Sequence, residues 1–261
     1  MMNRSDSTAL VLLRSEEAKS LIGLAVSRLP QVQQALGQGR IVIVGGSTTR
    51  HVVRHLLGED PGRDSFAVGW IKEGLLGESP PSGRGKGPFL LENGQWQRGW
   101  PGEVLQRFTV GDLYIKGANA IDPEGHAAIL MASPQGGTIG VAWPLLQARG
   151  CELIVPVSLA KLIPSVAKAA PLLGQGRVQR VMGSPVGLMT IPAGCATLIS
   201  EIQAFQMLFG LTATLVAAGG LDDCEGALCF HLAGTAENCD KAWNFLEKER
   251  ANSLDPCQNG R

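Results

Sequence analysis

Apolar residues recur along the chain in two alternating rhythms, helical stripes and short unbroken runs. Ala18, Leu21, Ile22, Ala25, Val26 and Leu29 recur at three- and four-residue spacing, which predicts one buried helix face. Ser15 supplies a cap, and Glu16 and Glu17 suit the first turn. The helical pattern covers 14–38, broken at Pro30, with a short second segment to Leu36 ahead of Gly37 and Gly39. Ile41 to Val44 is a run of four β-branched residues, the pattern of a strand buried on both faces as in parallel sheets, here spanning 40–44. Val52, Val53, Leu56 and Leu57 then mark a helix over 48–57.

Between that strand and that helix stand Gly45, Gly46, Ser47, Thr48 and Thr49. Glycines permit a sharp turn, and the free N–H groups and positive dipole end of the helix favour an anion there, most often a phosphate. The same residues also make an ordinary strand-to-helix loop with a hydroxyl cap.

The texture changes over 58–103. Gly and Pro crowd 58–62, 80–88 and 99–102, and Phe89 to Gln97 holds Asn93-Gly94 between apolar flanks, a two-residue hairpin signal. This predicts an insertion carrying one hairpin and a flexible loop, 77–88, whose Arg84 and Lys86 either cover a ligand or are simply solvated. Periodicity then resumes: a short helix at Glu103–Phe108, strands at Asp112–Ile115 and Ala127–Met131, and a glycine turn, Gln135 to Gly140, opening a helix over 140–149. A strand over Glu152–Val157 follows, with Lys161 close behind. Beyond about 178 the order is strand 187–191, helix 196–209, strands 212–217 and 227–232, and helix 237–250. That order predicts a small α+β subdomain with an antiparallel sheet. The fold class is therefore α/β: a Rossmann-like parallel sheet flanked by helices. Residues 15–177 form the main domain and 178–250 the subdomain, between a polar N-terminal tail, 1–14, and a disordered tail, 251–261.

Composition narrows this little. Charges balance at 23 against 23 over 261 residues, and hydrophobic residues make up 44%; no bulk field invites nucleic acid or an anionic membrane. Ala9 to Leu13 is too brief for the apolar core of a signal peptide, and no run is long enough to span a bilayer. The six cysteines show no CxxC pair or metal-ligand spacing; reduced core thiols in a cytoplasmic protein are the expectation. No zinc spacing, Walker loop or GxGxxG after a strand is present, so neither cofactor nor metal is expected.

With these motifs in order, the chain resembles the ribose-5-phosphate isomerase type A family and its wider fold group. That group includes glucosamine-6-phosphate deaminases, DeoR-type effector domains and CoA transferases. Gly45 to Thr49 resemble the family's phosphate loop. Asp112-Leu113-Tyr114-Ile115-Lys116-Gly117-Ala118-Asn119-Ala120-Ile121-Asp122 is similar to its D-x-x-I-D-G-A-D-E-V-D turn, and Gly136 and Gly137 to its second glycine turn. The resemblance spans roughly residues 15–250 in topology. It implies binding of a sugar phosphate or similar ligand, for which the candidate contacts, replacements included, are Gly45, Gly46, Ser47, Thr48, Thr49, Lys116, Gly117, Asn119, Asp122, Gly136, Gly137, Thr138 and Lys161. It also extends to this chain a homodimer, common among related folds.

The departures are chemical. The family's acidic turn positions hold Lys116, Asn119 and Ala120, with Asp122 alone retained, and the helix that carries its glutamate base reads Gly140-Val141-Ala142-Trp143-Pro144. An aldose–ketose isomerisation needs a base within reach of the carbon acid, and this helix supplies none; the family's own isomerase activity is disfavoured. Lys116 and Lys161 are candidate anion contacts and Asn119 a hydroxyl contact, each with a plain alternative as a solvated or capping residue. His51 and His126 are weaker candidates for general acids, and Asp122 with Glu124 reads more simply as a turn around Pro123. Three functions follow. The first is a phosphorylated-ligand binder that lacks the isomerase residues. The second is an enzyme of the same fold with other chemistry on a phosphorylated or acyl-CoA substrate, with Glu152 and Glu201 as unsupported candidate nucleophiles. The third is a non-catalytic interaction protein using Trp96 and Trp100. The residues ahead of the first helix are too few for a DNA-binding helix-turn-helix, so a stand-alone DeoR-type regulator is not expected.

Overall fold

A computed structural model describes residues 6–80, 82 and 85–254. In chain order the elements are β1 (Asp6–Leu13), α1 (Ser15–Ser27), α2 (Pro30–Gln38), β2 (Arg40–Ile43), α3 (Thr49–Leu57) and α4 (Arg63–Phe66). Two hairpins follow, β3 (Gly69–Lys72) with β4 (Leu75–Glu78) and β5 (Phe89–Glu92) with β6 (Gln95–Arg98). Then come α5 (Gly102–Gln106), β7 (Leu113–Ile115), β8 (Ala120–Ile121), β9 (Ala127–Met131), α6 (Gly137–Arg149), β10 (Glu152–Pro156) and α7 (Val166–Ala169). The last are β11 (Gly187–Ile191), β12 (Thr197–Ile199), α8 (Glu201–Phe209), β13 (Thr212–Gly219), β14 (Ala227–Thr235) and α9 (Ala236–Leu254).

The fold is α/β, built on a six-stranded sheet of order β12-β10-β7-β2-β5-β6. β2, β7, β10 and β12 run parallel, while β5 and β6 add antiparallel at one edge. Because side chains alternate along a strand, each central strand feeds two cores. Ile41, Ile43, Leu113, Ile115 and Ile154 point to one, with α1, α3 and α8; Val42, Val44, Tyr114, Leu153 and Val155 point to the other, with α5 and α6. That is why the β-branched run shows no polar face.

The Asn93-Gly94 hairpin forms as its sequence predicts, with both residues at positive φ, as a two-residue turn of the primed kind requires. It is an integral part of the fold: β5 pairs with β2 and packs Phe89 and Leu91 into the first core. The rest of 58–103 holds a second hairpin, β3–β4, turning at Glu73 and Gly74, again with both φ positive. Arg84 lies outside the described residues. Lys86 is exposed and does not line the cavity described below.

Four expectations need correction. Residues 6–13 are a strand, not a tail: β1 pairs antiparallel with β14 from Asp6↔Thr235 to Leu13↔Leu228, burying Val11 and Leu13. Residues 178–250 do not make a sheet of their own. β11 pairs with β9, β12 with β10, and β13 and β14 with each other and β1. The segment expected as helix 196–209 starts as strand β12, because Thr197-Leu198-Ile199 completes the parallel sheet before Ser200 caps α8. Finally, α9 continues through 251–254; the remainder of the expected tail lies outside the described residues. No helix among the described residues is long and apolar enough to cross a membrane.

Candidate functional site

In parallel sheets, ligands bind beyond the carboxyl ends of the strands, because that is where the following loops and helix N-termini converge. Here the loops after β2, β7 and β10, together with the N-terminus of α6, surround one cavity of about 460 Å³, a volume suited to a small metabolite. Twelve of the thirteen sequence-predicted residues line it: Gly45, Gly46, Ser47, Thr48, Thr49, Lys116, Gly117, Asn119, Gly136, Gly137, Thr138 and Lys161.

The loop after β2 is built closely against its neighbours. A Cβ on Gly45 would lie 1.9 Å from the Phe66 carbonyl oxygen, so only glycine fits. Thr49 is fully buried, and its hydroxyl donates to the Val44 carbonyl at 2.6 Å. It therefore fixes the turn and is not free for a ligand. The backbone N–H groups of Gly45, Gly46, Ser47, Thr48 and Thr49 donate to no acceptor among the described residues. Thr48 is 2% exposed and its Oγ1 has no hydrogen-bond partner. Buried polar groups are normally paired, so successive free donors in one loop are available to an acceptor from outside the chain, the arrangement by which backbone nests receive anions. The nine-residue helix α3 adds its dipole to that spot. A second such end is provided by α6, where Gly136 and Gly137 take left-handed conformations and the N–H groups of Gly137, Thr138 and Ile139 are likewise unpaired among the described residues. Tyr114 Oη donates to the Thr138 carbonyl at 2.7 Å and holds this turn to β7.

Two lysines supply the charge. Lys116 leaves the end of β7 half-buried, and none of the described residues holds its ammonium by hydrogen bond or ion pair. Burial lowers its pKa to about 8, with Lys161 adding repulsion. Lys161 Nζ donates to the Ala118 carbonyl at 2.7 Å, tying its turn to the loop after β7. Burial, reinforced by Lys19 and opposed by Glu201, brings its pKa to about 8 as well. Glu201, fully buried at the start of α8, accepts the Leu159 N–H at 2.9 Å while its Oε1 stays unpaired. Burial pushes its pKa up, against Ser158, the Leu159 N–H and Lys161. It backs Lys161 from behind the cavity wall and does not line the cavity.

Asn119 shares the rim, its Oδ1 accepting the Leu130 N–H at 3.0 Å. Asp122 does not belong to the site. It is buried in the turn between β8 and β9, where it accepts the N–H groups of Val166 and His126, each at 2.8 Å. Burial opposes its charge, but those donors prevail and hold its pKa down. His126 caps the same turn, 3.2 Å from Asp122. His51 is buried on the far side of α3, 3.3 Å from Glu16, within a cluster that includes the Arg50–Asp60 pair. Burial lowers its pKa despite Glu16. Glu152 lies at the opposite end of β10, bound to Gln31 and Thr197.

The roof went unread in the sequence. The β3–β4 hairpin brings Trp70, Ile71, Leu76, Gly77 and Glu78 over the cavity. It is docked by Leu76, whose N–H donates to the Met182 carbonyl and whose carbonyl accepts the Ser184 N–H. Glu78 is the one carboxylate among the described lining residues. The two tryptophans proposed as a shared surface part company: Trp100 lines the cavity, while the half-buried Trp96 packs edge-on against Phe89 at the margin of the first core.

Gly45→Ala should shift the loop away from Phe66 and cost about 1–3 kcal/mol by overpacking. A denaturant melt checks this, and an unchanged midpoint would show that the loop can move aside.

No family model matches the chain, and no curated protein or solved structure matches it.

Proposed function

We propose that the protein is a divergent member of the ribose-5-phosphate isomerase-like fold group that binds a phosphorylated small molecule, a sugar phosphate or similar, in this cavity. The observation that carries the reading is the unbroken run of unpaired N–H donors from Gly45 to Thr49, on a loop that lines the same cavity as the free end of α6 and two lysines. A phosphate satisfies N–H groups and ammoniums together; an apolar ligand would leave them stranded. The chemistry of α6 separates this reading from the isomerase itself. Its first turns carry Ile139, Gly140, Val141 and Ala142, so no carboxylate from that helix meets the sugar carbons. A cytoplasmic setting goes with the reading, since phosphorylated metabolites are held there by their charge.

Ribose 5-phosphate or glycerol 3-phosphate at about a hundred times its dissociation constant should add roughly 2.7 kcal/mol of stability, visible as a raised Tm. Lys161→Met, which removes a charge and the tie to Ala118, should weaken that response at least tenfold in midpoint concentration. If phosphorylated compounds leave Tm unmoved in the parent protein, the binding reading fails.

A further inference from the structure

Lys116 occupies an unusual position even for a phosphate contact. It emerges half-buried from the end of β7 into the cavity, with no carboxylate or carbonyl among the described residues engaging its ammonium. A second lysine, Lys161, lines the same cavity and repels it. This setting costs the charged form more than an exposed lysine would pay, through desolvation and a second cation. It thereby raises the share of neutral amine, and desolvation and a neighbouring cation are the two devices that activate a lysine as a nucleophile. Trp70 and Leu76 line the same cavity and give it an apolar wall on the roof side.

We infer that Lys116 forms an imine with the carbonyl group of an aldehyde or ketone ligand whose phosphate is held by the loop after β2. The inference rests on the phosphate reading for the ligand's class. The neutral ε-amine adds its lone pair to the carbonyl carbon, forming the C–N bond, and the carbonyl π pair moves to oxygen, which takes a proton. The carbinolamine then loses that hydroxyl as water while the nitrogen sheds a proton and closes the C=N bond. One carbonyl and one amine give one imine and one water, with no oxidant or reductant. Burial and the charge of Lys161 set the pH response of Lys116; Glu78 lines the same cavity, and Lys19 and Glu201 act on Lys161. With a pKa of about 8, roughly a tenth of Lys116 is neutral at pH 7, about a hundredfold or more above an ordinary lysine.

The test is trapping with cyanoborohydride, which reduces an imine to a stable secondary amine. The intact protein is incubated at pH 7 with glycolaldehyde phosphate, and adducts are mapped by peptide mass. One adduct on Lys116 is expected, blocked by glycerol 3-phosphate, which has the phosphate but no carbonyl. Lys116→Arg and Lys116→Met, each confirmed folded by circular dichroism, should lose that adduct. Lys161→Met should slow trapping at pH 7 several-fold and lose less at pH 9. Adducts scattered over exposed lysines at equal yield, or no adduct on Lys116, would overturn the inference. If glycerol 3-phosphate still raises Tm in that case, the phosphate reading survives it. If instead Lys116 is trapped by unphosphorylated glycolaldehyde as readily, with no competition and no Tm response to phosphates, the imine stands and the phosphate reading falls.

Discussion

Removing residues 1–13 is expected to abolish cooperative unfolding, although that segment reads in the sequence as part of a polar tail. β1 pairs with β14 over its whole length and closes one side of the first core. Val11 and Leu13 pack there with Phe230, Leu232 and Leu246, so deletion would expose their apolar surface together with an unpaired edge of β14. α9 would lose its footing too, since Arg250 donates to the Leu12 carbonyl and Cys239 to that of Ser7. A graded version is Leu13→Ala, which removes a 1%-exposed side chain and should cost about 2–5 kcal/mol. Thermal melts followed by circular dichroism check both. A truncated chain that melts within a few degrees of the parent would show that β1 contributes little.

Lys116→Met is expected to act in the opposite direction, stabilising the fold while removing ligand binding. Burial and Lys161 lower the Lys116 pKa from 10.5 to about 8. Below pH 8 the folded protein therefore holds a charge that its surroundings disfavour, and that cost is fully present at pH 7. Between about pH 8 and 10.5 the unfolded chain binds more protons at this site than the folded one, so the contribution of Lys116 to stability rises with pH across that window. Replacing it by methionine at pH 7 should add about 1–3 kcal/mol, the upper end being reduced by the side chain's partial access to water. The advantage of the variant should shrink as pH climbs through the same window. Urea midpoints at pH 7 and pH 10 measure it. A variant less stable than the parent at pH 7 would show that Lys116 has a stabilising partner, and the account of the site's electrostatics would be wrong. A stabilising substitution that removes function is the usual mark of a site kept under strain for its ligand.

Much of the site was legible because it is local. Four β-branched residues, two glycines and three hydroxyl residues spell out β2, its loop and α3 within a dozen positions, and Asn93-Gly94 fixes a hairpin by the conformations that pair of residues tolerates. What escaped depends on distance along the chain. β1 alternates with apolar residues on both faces, Leu10 and Leu12 outward and Val11 and Leu13 inward, so no polar–apolar alternation marks it, and its partner lies more than 200 residues away. The Glu73-Gly74 turn carries a weaker signal than Asn-Gly, which left β3–β4 and the roof unread. Asp122 shows the converse error: retained at a motif position, it serves the turn between β8 and β9 and the N-terminus of α7. Thr49 is similar, a loop hydroxyl consumed by the loop's own backbone. Spacing placed these residues near one another, but only hydrogen-bond partners distinguish a residue that builds the site from one that is free to bind.

The most direct measurement of the central claim is a titration of ¹⁵N-labelled protein with inorganic phosphate and with ribose 5-phosphate, following the backbone amides. The account predicts saturable shifts concentrated on Gly45, Gly46, Ser47, Thr48 and Thr49 and on Gly137 to Ile139, with the β11 and α9 amides unmoved. Shifts spread evenly over exposed lysines and arginines, or none at the loop after β2, would contradict it.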